Sequence, residues 1–275
     1  MTLFNSQLDK ATKERNLVKV ITGLDNFNIH TIVQMVKAAE TAGATYVDIA
    51  ANNSIVREIK KHTNLPVCVS SIDPEELYDV SLEGVDIIEI GNFDCLYSKN
   101  ITFSKSQILD LAKEVINLFP FTDICVTIPH ILSLSEQVQL SSELEEVGVK
   151  ILQTEGYYTK IVEPSSQFQR EVGQLADLIN YASSTLTSTY MISKVVKIPV
   201  IAASGINVLS APLSILYGAS GVGIGKAIKN NKTSLGMAKY IREVIDSVKQ
   251  NEINSLNHIP ALVRISNSFN SSVSF

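Results

Sequence analysis

Short apolar runs, mostly β-branched, alternate along this chain with longer amphipathic segments. Eight runs stand out: Val18–Thr22, Tyr46–Ala50, Val67–Ser70, Ile87–Ile90, Ile124–Ile128, Lys150–Thr154, Val200–Ala203 and Val222–Ile224. Strands covered by helices on one side and by a packed interior on the other are apolar in this continuous way. Strand, helix, strand in sequence implies parallel pairing through a crossover. Between the first two runs, Ile32, Val33, Val36, Ala39 and Ala42 recur near a helical period, and Gly43 follows as a C-terminal cap. Asp73-Pro74-Glu75-Glu76 supplies an N-cap, a first-turn proline and two dipole-matched acids, while Ser133 and Glu136 form a capping box. Gly84 and Gly148 close helices ahead of the fourth and sixth strands. This order predicts an α/β fold, a single (β/α)8 TIM barrel of the phosphate-binding type.

The length agrees, since 275 residues with 45% hydrophobic content suit one barrel of about 250 residues with tails. Residues 1–17 read as a polar N-terminal segment that plugs the bottom of the barrel, 18–250 as the barrel, and 251–275 as an Asn- and Ser-rich tail expected to be mobile. The longest insertion, Tyr157 to Lys197, starts with a polar stretch around Pro164-Ser165-Ser166-Gln167 and then turns helical. Such a segment either covers a site or is a solvated excursion. Thr185 to Ser193, with Tyr190 and Met191, has helical spacing and is expected to pack.

Charge narrows the partners. The formal balance of −5 is spread without long like-charged blocks, so the signature of a nucleic-acid or anionic-membrane binder is missing. Small molecules, or copies of the chain in a homo-oligomer, are the expected partners. The N-terminal residues include Asp9 and Glu14 and no apolar signal-like run, and no run approaches the ~18 apolar residues that cross a bilayer. A soluble protein acting where it is made is the expectation. Cys68, Cys95 and Cys125 form no CxxC pair and read as reduced thiols. His30, His62, His130 and His258 show no metal-ligand spacing, and no metal site is assigned. Neither a dinucleotide fingerprint nor a Walker loop is present.

Two candidate sites emerge. The first is the glycine-rich pair Ile198–Ile206 and Gly218–Ile228, at the ends of the last two strands. The corresponding turns of a barrel bind phosphate through backbone N–H groups and a short helix. Ser204, Gly205, Gly223, Gly225 and Lys226 are the residues assigned to that role. The second is a set of ionisable residues inside apolar runs: Lys19, Asp48, Glu89 and Glu155. A buried lysine among carboxylates serves as a Schiff-base nucleophile or proton shuttle, or else forms a structural ion-pair network. His130, at the end of the fifth strand, is either a general acid or base or an inert loop histidine.

The segments Lys19-Val-Ile-Thr-Gly-Leu24, Tyr46-Val-Asp-Ile-Ala-Ala51, Cys68-Val-Ser-Ser71, Glu89-Ile-Gly-Asn92, Leu152-Gln-Thr-Glu-Gly156, Ala203-Ser-Gly-Ile-Asn207 and Gly221-Val-Gly-Ile-Gly-Lys226 together resemble the hypothetical chloroplast open reading frame twenty-three family. The resemblance covers roughly residues 16–248 and implies a plastid (stromal) protein. Eighteen lysines against five arginines suit the AT-rich codon usage of such genomes. The last two motifs also resemble the ribulose-phosphate-binding barrel superfamily, in which a glycine pair after strand seven and Gly-Ser or Gly-Thr after strand eight hold phosphate. Here Ser204-Gly205 and Gly225-Lys226 occupy those places, so serine replaces the first glycine and lysine the hydroxyl residue. The resemblance and the residues together imply a small phosphorylated ligand and lyase, isomerase or synthase chemistry. The alternative is a non-catalytic barrel holding a metabolite or flavin mononucleotide; no cofactor is assigned.

Overall fold

The structure, a computed structural model, describes residues 2–91, 93–97, 99–156 and 182–255. Eight strands form the sheet: β1 (Leu17–Ile21), β2 (Tyr46–Ala50), β3 (Val67–Ser71), β4 (Ile87–Ile90), β5 (Asp123–Ile128), β6 (Ile151–Thr154), β7 (Val200–Ala202) and β8 (Gly221–Ile224). They pair in chain order, all parallel, and β1 against β8 closes the barrel. Each predicted strand lies within one residue of the observed one at either end.

Helices connect the strands: α2 (Ile29–Ala42), α3 (Asn53–Ile59), α4 (Pro74–Ser81), α5 (Asp94–Tyr97), α6 (Lys105–Leu118), α7 (Leu134–Val147), α8 (182–193), α9 (Ser210–Leu216) and α10 (Lys226–Lys229). A further helix, α1 (Ser6–Lys13), precedes β1, and α11 (Ser234–Ser255) follows the barrel, five residues past the expected boundary at 250. The caps form as their residues require. Asp73 accepts from the N–H of Glu75, Ser133 and Glu136 close a reciprocal capping box, and Gly43 and Gly148 end their helices in the left-handed region.

Alternation along the strands separates two cores. Val18, Val20, Val47, Ile49, Val67, Val69, Ile88, Val126, Leu152 and Val222 face the helices in the larger one. The smaller one fills the lower barrel with Leu17, Tyr46, Cys68, Ile87, Cys125, Ile151 and Ile201, against which Leu3, Leu8 and Ala11 of the N-terminal segment pack. The segment is pinned from below, because the N–H groups of Phe4 and Asn5 donate to the Asp123 carboxylate at 2.9 and 3.2 Å. Burial pushes the Asp123 carboxyl up, against the pull of those backbone donors.

Helix α8 forms and packs as its spacing predicts, but not through the expected residues. Thr185, Ser188, Thr189 and Ile192 are buried, whereas Tyr190 and Met191 are 45% and 39% exposed. Its packed face combines three hydroxyls with Ala182 and Ile192, so apolarity alone does not find it. Residues 157–181, which carry most of the predicted insertion, Asn92, and 256–275 of the predicted tail lie outside the described residues. Among the described residues no helix is long and apolar enough to cross a membrane.

Candidate active site

One layer above the apolar lower core, the barrel interior turns polar. Lys19 Nζ lies 2.9 Å from Asp48 Oδ2, donates to Gln153 Oε1 at 2.8 Å and forms an ion pair with Glu89. The register places Asp48 beside Ile21 rather than Lys19, so the lysine stem carries its charge up the barrel to meet the acid. Glu89 Oε1 accepts from Thr127 Oγ1 at 3.0 Å and from Gln153 Nε2 at 2.8 Å, and Ser70 Oγ donates to Asp48 at 2.5 Å. Lys19 and Glu89 have no exposed surface, and Asp48 has almost none. Burial alone depresses the Lys19 ammonium, but Asp48 and Glu89 outweigh it and hold its pKa well above the usual range. For Glu89 burial dominates, and the carboxyl is raised despite Lys19.

Glu155 belongs to a different constellation. It follows Gln153 on the same face of its strand, about 7 Å nearer the mouth, and stays 4% exposed. Its Oε2 accepts from Tyr97 Oη at 2.7 Å and from the His130 N–H at 3.3 Å, and lies 3.1 Å from His130 Nδ1. The Tyr97 and His130 rings meet edge to face, 4.9 Å apart. In the tautomer that donates from Nδ1 to this carboxylate, Nε2 carries the ring's lone pair. A carboxylate, an imidazole and a phenol so linked can take and return a proton. The chain thus splits the four expected acid and base residues: Lys19, Asp48 and Glu89 meet in one network, and Glu155 sits above it with Tyr97 and His130.

The turns after β7 and β8 lie side by side. Ala202, the last paired residue of β7, pairs with Val222, and the chain leaves the strand at the Ser204-Gly205 turn. A Cβ on Gly223 would come within 2.9 Å of Ala203 Cβ and 3.0 Å of Ile21, and one on Gly225 within 2.8 Å of the Ile21 carbonyl. Both glycines are therefore required by close packing against β1 and β7, with Gly223 buried inside β8 and Gly225 half-buried just beyond it. Ser204 and Gly205 are both left-handed, at φ 73° and 72°, and Ser204 Oγ donates to the Gly156 carbonyl at 3.2 Å. Among the described residues, the N–H groups of Ser204, Gly205, Ile206 and Gly225 have no hydrogen-bond partner. Lys226 is exposed as the first residue of α10. From α8, the Thr185 hydroxyl reaches the carbonyls of Ala203 and Ser204 at 3.0 and 2.8 Å, fixing the first turn.

Tyr97, Thr185 and Thr127 escape the sequence reading, because a single turn of helix, a hydroxyl-faced helix and a lone strand threonine have no period that marks chemistry. The Glu155 position two residues beyond Gln153 is the signal that finds His130 once the strands are set in register. A groove of about 320 Å³ lined by Phe4, Phe119, Pro120 and Lys150 lies at the lower end of the barrel, away from all these groups. Among the described residues no group of three or more His, Cys, Asp or Glu is placed to hold a metal ion.

Residues 4–254 match the family described as "Protein of unknown function (DUF561)". The chain is 46% identical over 254 residues to "Uncharacterized protein ycf23" of Antithamnion sp., covering 91% of each, and 44% identical over 238 residues to the protein of that name from Pyropia yezoensis, covering 86% of this chain and 84% of that one. Among solved structures it is similar to thiamine phosphate pyrophosphorylase from Pyrococcus furiosus, with a TM-score of 0.57, 18% identity, and 86% and 97% of the two chains covered. It is likewise similar to (S)-3-O-geranylgeranylglyceryl phosphate synthase from Thermoplasma acidophilum in complex with sn-glycerol-1-phosphate, at TM-score 0.58, 13% identity, and 91% and 99% coverage. At such identities these structures establish the shared barrel fold. The sequence relatives establish more: the chain belongs to the Ycf23 (DUF561) family.

Proposed function

We propose that this protein is a plastid stromal barrel enzyme that binds a small phosphorylated metabolite between the turns after β7 and β8. The reading rests on one observation above the others: Ser204, Gly205 and Gly225, on the turns that follow the adjacent strands β7 and β8, present backbone N–H groups without partners among the described residues. Such groups favour an anion, and Lys226 adds charge at the rim. The structural neighbours, a thiamine phosphate pyrophosphorylase and a glyceryl phosphate synthase, support the ligand class by analogy.

Phosphate held on the β7–β8 side directs the rest of the ligand across the mouth towards β4, β5 and β6. There Glu155 and Tyr97 orient His130, whose Nε2 is the group we assign to proton transfer in lyase, isomerase or synthase chemistry. Lys19, Asp48 and Glu89 act below as fixed charges that hold the floor and set its potential, with the lysine remaining an ammonium.

Isothermal titration with inorganic phosphate, together with native mass spectrometry of freshly purified protein, tests the site. The expected result is a retained phosphorylated compound and phosphate binding weakened at least about tenfold by Ser204→Asp with Lys226→Glu, through loss of donors and added repulsion. Phosphate binding unchanged in that variant would remove the site assignment, and a yellow protein retaining flavin mononucleotide, with no turnover, would favour the binding barrel.

A further inference from the structure

Helix α9 is amphipathic in the wrong sense for an outer helix. Of its buried residues, Ser210, Ala211 and Ser214 are small and only Ile215 is a large apolar one, while Leu209, Leu213 and Leu216 are 63%, 44% and 60% exposed. The spacing of these leucines by four and three residues puts them on one stripe. Tyr217 continues the stripe and meets Tyr190 of α8 edge to face at 5.9 Å. Ser193 Oγ donates to the Tyr217 carbonyl at 3.1 Å, so the two helices form one surface that also includes the exposed Met191. These six side chains expose roughly 600 Å², at the upper end of what a monomeric protein leaves to water.

Charge identifies what covers the patch. From Ile198 to Gly225 the chain contains no Asp, Glu, Lys, Arg or His, although its overall balance is −5. Two copies of an acidic chain repel over most of their surface, but the α9 stripe brings no charge against itself, and the α8 side of the patch carries a cation, Lys194, 5.2 Å from the Tyr190 ring centroid. A twofold axis lays such a patch on itself, and a standard interface needs about 800 Å² from each partner. The leucine stripe with its rim supplies most of that area. We propose that the α8–α9 face is the contact of a homodimer, with the α9 leucines of two copies packed against each other. Each α9 begins just beyond its Ser204-Gly205 turn, so the contact braces both phosphate-side turns from outside.

The test is the mass of the full chain in solution. Sedimentation velocity and native mass spectrometry should give twice the 30.1 kDa of one chain at micromolar concentration, and Leu213→Asp with Leu216→Asp should return it to the single-chain mass with unchanged circular dichroism. Independently, single Leu209→Cys, Leu213→Cys and Leu216→Cys variants should include at least one that forms an intermolecular disulfide on oxidation while the parent chain does not. A wild-type monomer at 100-fold higher concentration overturns the proposal. So does a dimer that survives the double substitution and yields no cross-link at any of the three positions; that outcome puts the dimer contact elsewhere on the molecule.

Discussion

Lys19 carries its charge where no water reaches it, and three partners hold it there: Asp48, Glu89 and Gln153. Replacing it by methionine leaves two carboxyl groups facing each other in the interior, which costs about 3–5 kcal/mol for a broken buried pair; urea unfolding should report a loss of that size. Borohydride treatment with carbonyl phosphates should leave Lys19 unmodified, as expected of a fixed ammonium. The neighbouring thiols give a pH signature. Burial, reinforced by Asp48 for Cys68 and by Glu89 for Cys125, holds both well above the normal thiol range. The unfolded chain releases these protons from about pH 8.5, the folded chain retains them, and stability therefore falls as pH rises, by up to ~1.4 kcal/mol per pH unit for each thiol. Cys68→Ala with Cys125→Ala should flatten the stability profile between pH 8.5 and 10. The acid and base residues were legible as polar intrusions in apolar strands. Their division into two levels was not, because it depends on the stagger of strands and the reach of a lysine stem.

Elements repeat the lesson at a larger spacing. Strand limits read correctly because β-branched runs, glycines and caps all mark the same boundaries, and Gly148 and the Ser133 capping box appear where their chemistry requires. In helix α8 the spacing gives the helix but not its inward face, because beside Ile192 that face is held by hydrogen bonds: Thr189 to Thr154 at 2.9 Å, Ser188 to Gln137 at 2.7 Å, Thr185 to the Ser204 turn. Hydroxyl periodicity is invisible to a search for apolar residues. Thr185→Val retains the shape and removes the donor, so it should cost about 1 kcal/mol in stability and weaken phosphate binding by several-fold in calorimetry. Thr185→Ser should restore binding, which a purely space-filling residue would not do.

For the molecule as a whole, everything depends on closing the ring. Gly221 lies at the β1–β8 seam, where an added Cβ would fall 2.5 Å from the Leu17 carbonyl and 2.6 Å from its Cβ. Gly221→Val should abolish the cooperative thermal transition. Gly43, at φ +80° with nothing within 4 Å of an added Cβ, gives the contrast: Gly43→Ala should cost only the backbone strain of a left-handed residue, about 1–2 kcal/mol. The closed ring is stoppered from beneath by Leu3, Leu8 and Ala11 and floored by the Lys19 layer. Among the described residues, the Glu155 level lies about 7 Å above that floor. A guest bound as proposed meets that level before the floor, anchored at one edge and worked on at the other. Changes of guest over evolutionary time should accordingly be written in the rim turns, while the staves beneath stay as they are.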